Sequence, residues 1–256
     1  MMLTEEYRQA RILAVEIAQT FDAPRFYVDL RRERVTSSRM LHTDAVIEKL
    51  RQIVISKDEH FGHGLKHSEK VAMDAGAIVQ NEWSRVGRQP DQAMRAVFLV
   101  QLAALLHDVR RRVPNHARQS ARAASEILTD FPLEDMERNW IVRAIENHEA
   151  FVESAPMECP EGQLLSDALY DADKFRWGPD NFTDTIWEMI APTDLPLKVL
   201  MAHFPKGMEG VKRIATTFRS QTGMRYGPEF IEIGLAIGNK LYDELLKRLA
   251  REEEQV

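Results

Sequence analysis

The chain has 256 residues, of which 44% are hydrophobic and 29% are charged, so it can bury a core and is not wholly disordered. Its formal net charge of −6 argues against general nucleic-acid binding, although local basic patches remain able to bind phosphate. Its single cysteine, Cys159, excludes an internal disulfide and a cysteine-cluster zinc site. The acidic start (Glu5 and Glu6) does not resemble a signal peptide, and residues 96–106, the longest apolar stretch, are too short for a bilayer. These features predict a cytoplasmic protein without a membrane segment.

Apolar residues recur at intervals of three and four along most of the chain, which is the period of amphipathic helices. Thr4 is placed to cap a first helix. Residues 22–42 are less regular and are interpreted as a connector with a short helix or strand, whereas residues 44–55 predict a second helix. Two glycines interrupt the pattern in residues 61–64, and a third helix is predicted to start there.

Residues 91–107 are apolar on nearly all sides, which is typical of a helix at the centre of a bundle. Gly227-Pro228 is interpreted as the start of a last long helix. Further helices are predicted over residues 117–128, 133–148 and 163–175, with turns at residues 178–179 and 192–196. No segment shows the period of two that is typical of strands. The predicted fold class is therefore an all-α, single-domain helical bundle.

Several histidines and carboxylates lie on core-facing helix surfaces or at the ends of those helices: His67, His107, Asp108, His148 and Asp173. A buried carboxylate without a partner is costly, so we expect these groups to contact one another or a cation. Imidazole together with carboxylate suits Mn, Fe, Co, Ni or Zn rather than Ca. The alternative is that each is an ordinary core histidine or a helix cap, which is the more common role for any one of them alone.

Three short motifs resemble the H…HD…D signature of the HD-domain superfamily, most of whose members are metal-dependent phosphohydrolases. They are His67-Ser68-Glu69-Lys70-Val71, Ala103-Ala104-Leu105-Leu106-His107-Asp108 and Tyr170-Asp171-Ala172-Asp173-Lys174. The adjacent His-Asp after an Ala-Leu-Leu run is the most specific element. The resemblance predicts an HD-type core over residues 57–177, an N-terminal helical extension over residues 1–56, and C-terminal helices over residues 178–256 that complete the same domain.

The resemblance implies that one metal ion is held by His67, His107, Asp108 and Asp173. Asp173 is preferred to Asp171 because the family's ligand directly precedes a basic residue, here Lys174. Asp171 is interpreted as a solvated or helix-end carboxylate.

The number of metal ions is left open between one and two. His116 and His148 lie where binuclear family members have two more histidine ligands, and a second ion would make a bridging hydroxide the natural nucleophile. His63 lies one helical turn before His67, where many relatives have a residue that contacts substrate or a second metal. A loop histidine beside Gly62 and Gly64 is an equally good interpretation of His63.

Basic residues near the motifs are candidates for binding phosphate. Arg111 lies four residues after His107 in a run of three arginines, and its planar guanidinium suits phosphate oxygens. Lys174 is a second candidate. A solvated basic loop and a surface lysine are the respective alternatives. Residues 216–226, which contain Arg219 and Arg225, are interpreted as a helix-connecting turn rather than as part of the pocket.

The predicted function is hydrolysis of a phosphate ester, of a nucleotide or another small phosphorylated metabolite, by a metal-activated water. Asp108, Arg111, Lys174 and His63 are assigned to the reaction. Relatives often continue the third motif with Leu-Asp, but Phe175-Arg176-Trp177 stands here, so no relative's substrate is transferred. A di-iron oxygenase of the same fold and a non-catalytic nucleotide- or metal-binding regulatory protein are the alternatives, and a homodimer is left open.

Overall fold

Helices are the regular secondary structure of the part that the computed structural model describes, which comprises residues 4–57, 63–87, 89–191, 193 and 195–253. These residues contain no strand, so the predicted all-α class is confirmed. Among them, no helix combines the length and the apolar character needed to cross a membrane. The helices are α1 (Glu5–Ala18), α2 (Arg25–Asp29), α3 (Arg31–Thr43), α4 (Ala45–Lys57), α5 (His63–Arg85), α6 (Pro90–Leu106), α7 (His116–Ile127), α8 (Asp135–Glu146), α9 (Pro160–Phe175), α10 (Ile186–Ile190), α11 (Leu197–Ile214) and α12 (Gln221–Glu253).

Two compact units make up the chain, and they do not coincide with the predicted segments. The larger unit comprises Phe26–Asp173 and Thr217–Arg225, and the smaller unit comprises Met1–Arg25, Lys174–Thr216 and Tyr226–Val256. Residues 26–56, predicted as part of an N-terminal extension, group with the helices that follow them. The reason is packing, because α3 contacts α5 and α4 contacts α6.

Helix α6 organises the larger unit. It contacts α3, α4, α5, α7 and α8, and its residues from Ala96 to Leu106 are almost wholly buried. An apolar surface on all sides requires neighbours on all sides, which explains the central position of this helix. Because α6 ends at Leu106, the residues that follow it emerge among the surrounding helices.

The smaller unit has a core of its own. Tyr7, Ala10, Ala14 and Ile17 of α1 are buried at the spacing that the sequence predicted, and the Thr4 hydroxyl caps this helix by accepting the Tyr7 N–H. They belong to a cluster of buried residues that continues through Phe182, Trp187, Ile190, Leu197, Met201, Phe204, Ile237, Leu241 and Leu245.

Two of the predicted elements differ from the structure. Residues 22–42 were interpreted as a connector, but most of them form α2 and α3. Helix α3 buries only Ser37 and Leu41, so it lacks the apolar stripe by which helices are recognised. Instead, the buried Gln101 amide donates to the backbone oxygen and the hydroxyl of Ser37, both at 2.8 Å.

The last helix starts earlier than predicted. Helix α12 begins at Gln221, and Pro228 lies inside it. The Ser220 hydroxyl accepts the Gly223 N–H at 2.8 Å and caps the first turn, which sets the start of the helix. Helix α11 was not predicted, although its buried Leu197, Met201 and Phe204 recur at helical spacing. The predicted turn at 192–196 falls partly outside the described residues.

Candidate metal centre

Three predicted ligands from three helices converge in the larger unit. His67 lies on α5, His107 directly follows α6, and Asp173 lies on α9. The His67 Nε2 atom is 3.3 Å from His107 Nε2 and 3.2 Å from Asp173 Oδ1, and His107 Nε2 is 3.6 Å from the same Oδ1. This group has the composition and spacing needed to hold a metal ion.

The local sequence explains why these side chains point inward. His67 precedes the fully buried Val71 and Ala75 by one and two helical turns, so it continues their face of α5. His107 is itself fully buried, and its Nδ1 contacts the Ala104 carbonyl oxygen at 2.6 Å. A carbonyl can only accept, so Nδ1 carries the proton and Nε2 is left to face the other ligands.

A second group of ligands shares His107 with the first. His107, Asp108 and His148 offer ligand atoms that all lie within 4.8 Å of one another. Asp108 Oδ1 is 3.6 Å from His148 Nε2 and 3.8 Å from His116 Nε2. The Nδ1 of His148 contacts the Ile145 carbonyl oxygen at 2.6 Å, so its Nε2 is oriented in the same way as that of His107. The two overlapping groups therefore contain five of the six predicted ligands, and the sixth, His116, lies beside Asp108.

Asp108 Oδ1 supplies a test of whether these residues fit a metal. This oxygen is buried and has no hydrogen-bond partner among the described residues, although three imidazoles surround its carboxylate. A buried oxygen left in this state is costly unless a cation satisfies it. Imidazole nitrogens combined with carboxylate oxygens suit a divalent transition metal, so the donor set and the orphaned oxygen agree.

The positively charged and polar neighbours of Asp108 favour the ionised form of its carboxylate. Burial alone would raise the pKa of Asp108, but His107, His148 and Arg111 outweigh it and hold that pKa well below its ordinary value. Burial lowers the pKa of His67 and that of His116. For His107 burial acts in the same direction, but Asp108 and Asp173 outweigh it and raise the pKa. Because metals bind neutral imidazole, metal uptake competes with protonation of His107.

Among the neighbouring arginines, Arg111 points back to the site. One of its terminal nitrogens, Nη1, donates to Asp108 Oδ2 at 2.9 Å, while 46% of the side chain stays exposed. Arg110 and Arg112 are exposed as well. Almost half of the Arg111 side chain therefore stays accessible to a ligand that approaches from solvent.

The two remaining predicted catalytic residues are Lys174 and His63. Lys174 is buried, which excludes the alternative of a surface lysine, and by its contacts it belongs to the smaller unit. His63 begins α5, but its side chain lies outside the described residues. The roles of both residues stay predictions.

The interpretation of Asp171 as a solvated or helix-end carboxylate is wrong. This residue is fully buried, and its two carboxylate oxygens accept the backbone N–H groups of Arg219 and Ser220, both at 2.8 Å. Burial raises the pKa of Asp171 to about 7, against the lowering effect of these hydrogen bonds. Asp171 therefore anchors the segment 217–225, which the sequence had suggested only as a turn.

Sequence reasoning named Arg219 without identifying its contacts. The guanidinium donates to the Asn147 backbone oxygen at 2.9 Å and lies over the Tyr170 ring at 3.5 Å. The available signal in the sequence was an arginine four residues before a glycine, Gly223. In the structure a Cβ at Gly223 would lie 2.0 Å from Asp171 Oδ2, so only glycine fits there. Its long-range partners could not be read from the sequence.

Comparison with known proteins agrees with the motifs. The family model described as "HD domain" matches residues 64–175, an interval that contains all six converging side chains. Neither the curated proteins nor the solved structures yield a match.

Proposed function

The chain contains an HD domain at residues 64–175, and from this premise we propose that it is a metal-dependent phosphohydrolase that cleaves a small phosphate ester. HD domains bind divalent metals, and the family implies metal-dependent hydrolase-type activity in general. The finer assignment, to a nucleotide or another phosphorylated metabolite, is our proposal. It is supported by Arg111, whose guanidinium contacts the predicted ligand Asp108.

The observation that carries the proposal is the position of Asp108. Its carboxylate lies among the imidazoles of His107, His116 and His148, with one oxygen orphaned and the other bonded to Arg111. His67, His107, Asp108 and Asp173 would hold one ion, and His116 and His148 would complete a second site together with Asp108. When bound, a divalent metal would lower the pKa of a coordinated water and polarise the phosphoryl oxygen.

The chain's own residues supply the remaining parts of the reaction. Asp108 fixes the position of the water relative to the phosphorus atom. Arg111 donates to the non-bridging phosphate oxygens, which a planar guanidinium can contact with two parallel hydrogen bonds. The water adds to phosphorus, the ester P–O bond breaks, and the products are an alcohol and inorganic phosphate or a phosphomonoester.

A di-iron oxygenase is the second candidate, and a specific observation favours it. Three histidines and two aspartates form two overlapping groups with a fourth histidine, His116, beside them, and some proteins of this fold use six such ligands to activate oxygen. The two candidates differ in the metal that they retain. Two irons per chain would favour the oxygenase, whereas Mn, Co, Ni or Zn would favour the hydrolase.

The test combines metal analysis with a substrate screen. Protein purified without added metal is analysed for elemental content, then reloaded with each candidate metal and assayed on a panel of phosphomonoesters, phosphodiesters and nucleotides. We expect metal-dependent release of phosphate or of a phosphomonoester, lost in His107→Ala and Asp108→Ala together with the bound metal. His203→Ala and Asp22→Asn are matched controls because both residues are exposed.

Two results would contradict the proposal. The first is full metal content in either His107→Ala or Asp108→Ala, since the ligand assignment would then be wrong. The second is a metal-loaded protein that cleaves no phosphoester but consumes oxygen with an organic substrate. Binding of nucleotide without any turnover would instead identify a regulatory protein.

A further inference from the structure

The segment 217–225 contacts two residues that lie close in sequence to predicted metal ligands. On one side, Asp171 accepts the N–H groups of Arg219 and Ser220, and Asp171 is two residues before the ligand Asp173. On the other side, the Arg219 guanidinium bonds the Asn147 carbonyl oxygen, directly before the ligand His148. Arg219 thus connects the side chain of a residue two positions before one ligand with the backbone oxygen directly before another.

The contact at Asn147 falls at the carboxyl end of α8, where carbonyl groups lack partners within the helix. The imidazole of His148 takes up the Ile145 oxygen, and Arg219 takes up the Asn147 oxygen. A fixed positive charge at this end also complements the helix dipole. The turn from which the His148 side chain projects is therefore held by two side-chain donors, one of which belongs to the ligand itself.

The guanidinium has little freedom to move away. It lies 3.5 Å from the centre of the Tyr170 ring, and Tyr170 is buried. The Asn147 side chain is fixed too, because it exchanges hydrogen bonds of 2.9 Å with the backbone of Ala155. The carbonyl that Arg219 contacts therefore belongs to a residue anchored on its other side.

We propose that Arg219 is a positioning residue for the metal centre: its side chain fixes the backbone that carries His148 and thereby the second group of ligands. The inference rests on the proposed metal centre and deepens it. Removing the guanidinium should release the Asn147 carbonyl and loosen His148, while the backbone anchor on Asp171 keeps Asp173 in place. The effect should therefore fall on one metal ion and not on both.

The test measures Mn²⁺ binding by titration calorimetry and the visible spectrum of the Co²⁺-loaded protein, both without substrate. Arg219→Met keeps an aliphatic stem over Tyr170 and loses the donor to Asn147, whereas Arg219→Lys retains a cationic donor. Arg225→Met is the matched control, because Arg225 is an exposed arginine of the same segment. His148→Ala identifies which metal equivalent depends on His148.

His148→Ala should abolish binding of one metal equivalent. We expect Arg219→Met to lower the affinity of the protein for that same equivalent by about tenfold, which is the lower limit for loss of an outer partner of a metal ligand. The Co²⁺ spectrum of that site should change, and the other equivalent should bind as in the wild type. Arg219→Lys should recover most of the affinity, and Arg225→Met should behave as the wild type. When Arg219→Met is added to His148→Ala, the double variant should show no further loss of metal affinity.

The proposal is overturned by any of three results. If Arg219→Met binds both metal equivalents as tightly as the wild type, Arg219 does not position His148. Equal weakening of both equivalents, with a matching fall in the melting temperature of the metal-free protein, would make Arg219 merely structural. Wild-type protein that binds a single equivalent would remove the second site. Absence of phosphoesterase activity would contradict the proposed function alone, since no measurement in this test depends on turnover.

Discussion

Replacing Arg111 by alanine tests whether the site binds a phosphate, because this residue contacts the site without being one of the metal ligands. Its guanidinium donates to Asp108 Oδ2 at 2.9 Å, and 46% of the side chain is exposed. A charge-assisted hydrogen bond to phosphate contributes about 1.5–3 kcal/mol, and this exposure places Arg111 near the lower limit. Since 1.36 kcal/mol corresponds to tenfold in rate, kcat/KM should fall about 10- to 30-fold.

Metal affinity should respond in the opposite direction. In the structure Arg111 bonds an oxygen of Asp108, so it competes with a metal for that oxygen and repels a cation nearby. We therefore expect Arg111→Ala to bind metal as tightly as the wild type or more tightly. The melting temperature should change by less than about 3 °C, because an exposed ion pair contributes at most about 1 kcal/mol.

The assay compares Arg111→Ala, Arg110→Ala and the wild type at saturating metal, on the phosphoester that the screen identifies. Arg110 is the matched control because it is an exposed member of the same arginine run. Equal kcat/KM for the three proteins would refute the reasoning and remove the argument for a phosphate-bearing substrate. A parallel fall in activity and metal content would show that Arg111 acts on the metal rather than on the substrate.

Three further predictions concern the second metal, the core and pH. Replacing His116 and His148 together should reduce two bound metals to one by elemental analysis, and a wild type that saturates at one equivalent would contradict this. Gly76→Ala should cost about 1–3 kcal/mol in denaturant unfolding, since its Cβ would lie 2.1 Å from Ser37 Oγ, and adding Ser37→Ala should recover part of the loss. Burial alone would raise the pKa of Glu137, but its bonds with Arg95 and the Glu134 N–H lower it. Glu137 therefore stabilises the fold above its unfolded pKa of about 4.3 and loses this effect as the pH falls through the folded value. Unfolding of Glu137→Gln should show a deficit of about 1.5–3 kcal/mol at pH 7 that shrinks below pH ~4, and a deficit independent of pH would disprove it.

The sequence by itself determined the features that depend on local periodicity and on short motifs. The spacing of Tyr7, Ala10, Ala14 and Ile17 identified the buried face of α1, because a helix repeats every 3.6 residues. The apolar run of α6 identified the central helix in the same way. The adjacent pair His107-Asp108, placed at the end of that run, located the centre of the site, because ionisable groups at the end of a buried helix need partners within the core.

Only the tertiary structure decided the features that depend on contacts between distant residues. Helix α3 buries a serine where periodicity analysis looks for an apolar stripe, and the partner that satisfies this serine, Gln101, lies on another helix. The family resemblance favoured Asp173 over Asp171 as a ligand, but only the structure shows that Asp171 is buried and accepts backbone N–H groups from residues 219 and 220, whereas Asp173 faces His67. The orientation of Arg111 and the reach of Arg219 to Asn147 likewise depend on packing, because the side-chain partners of a charged residue are chosen by what the fold brings within a few ångströms.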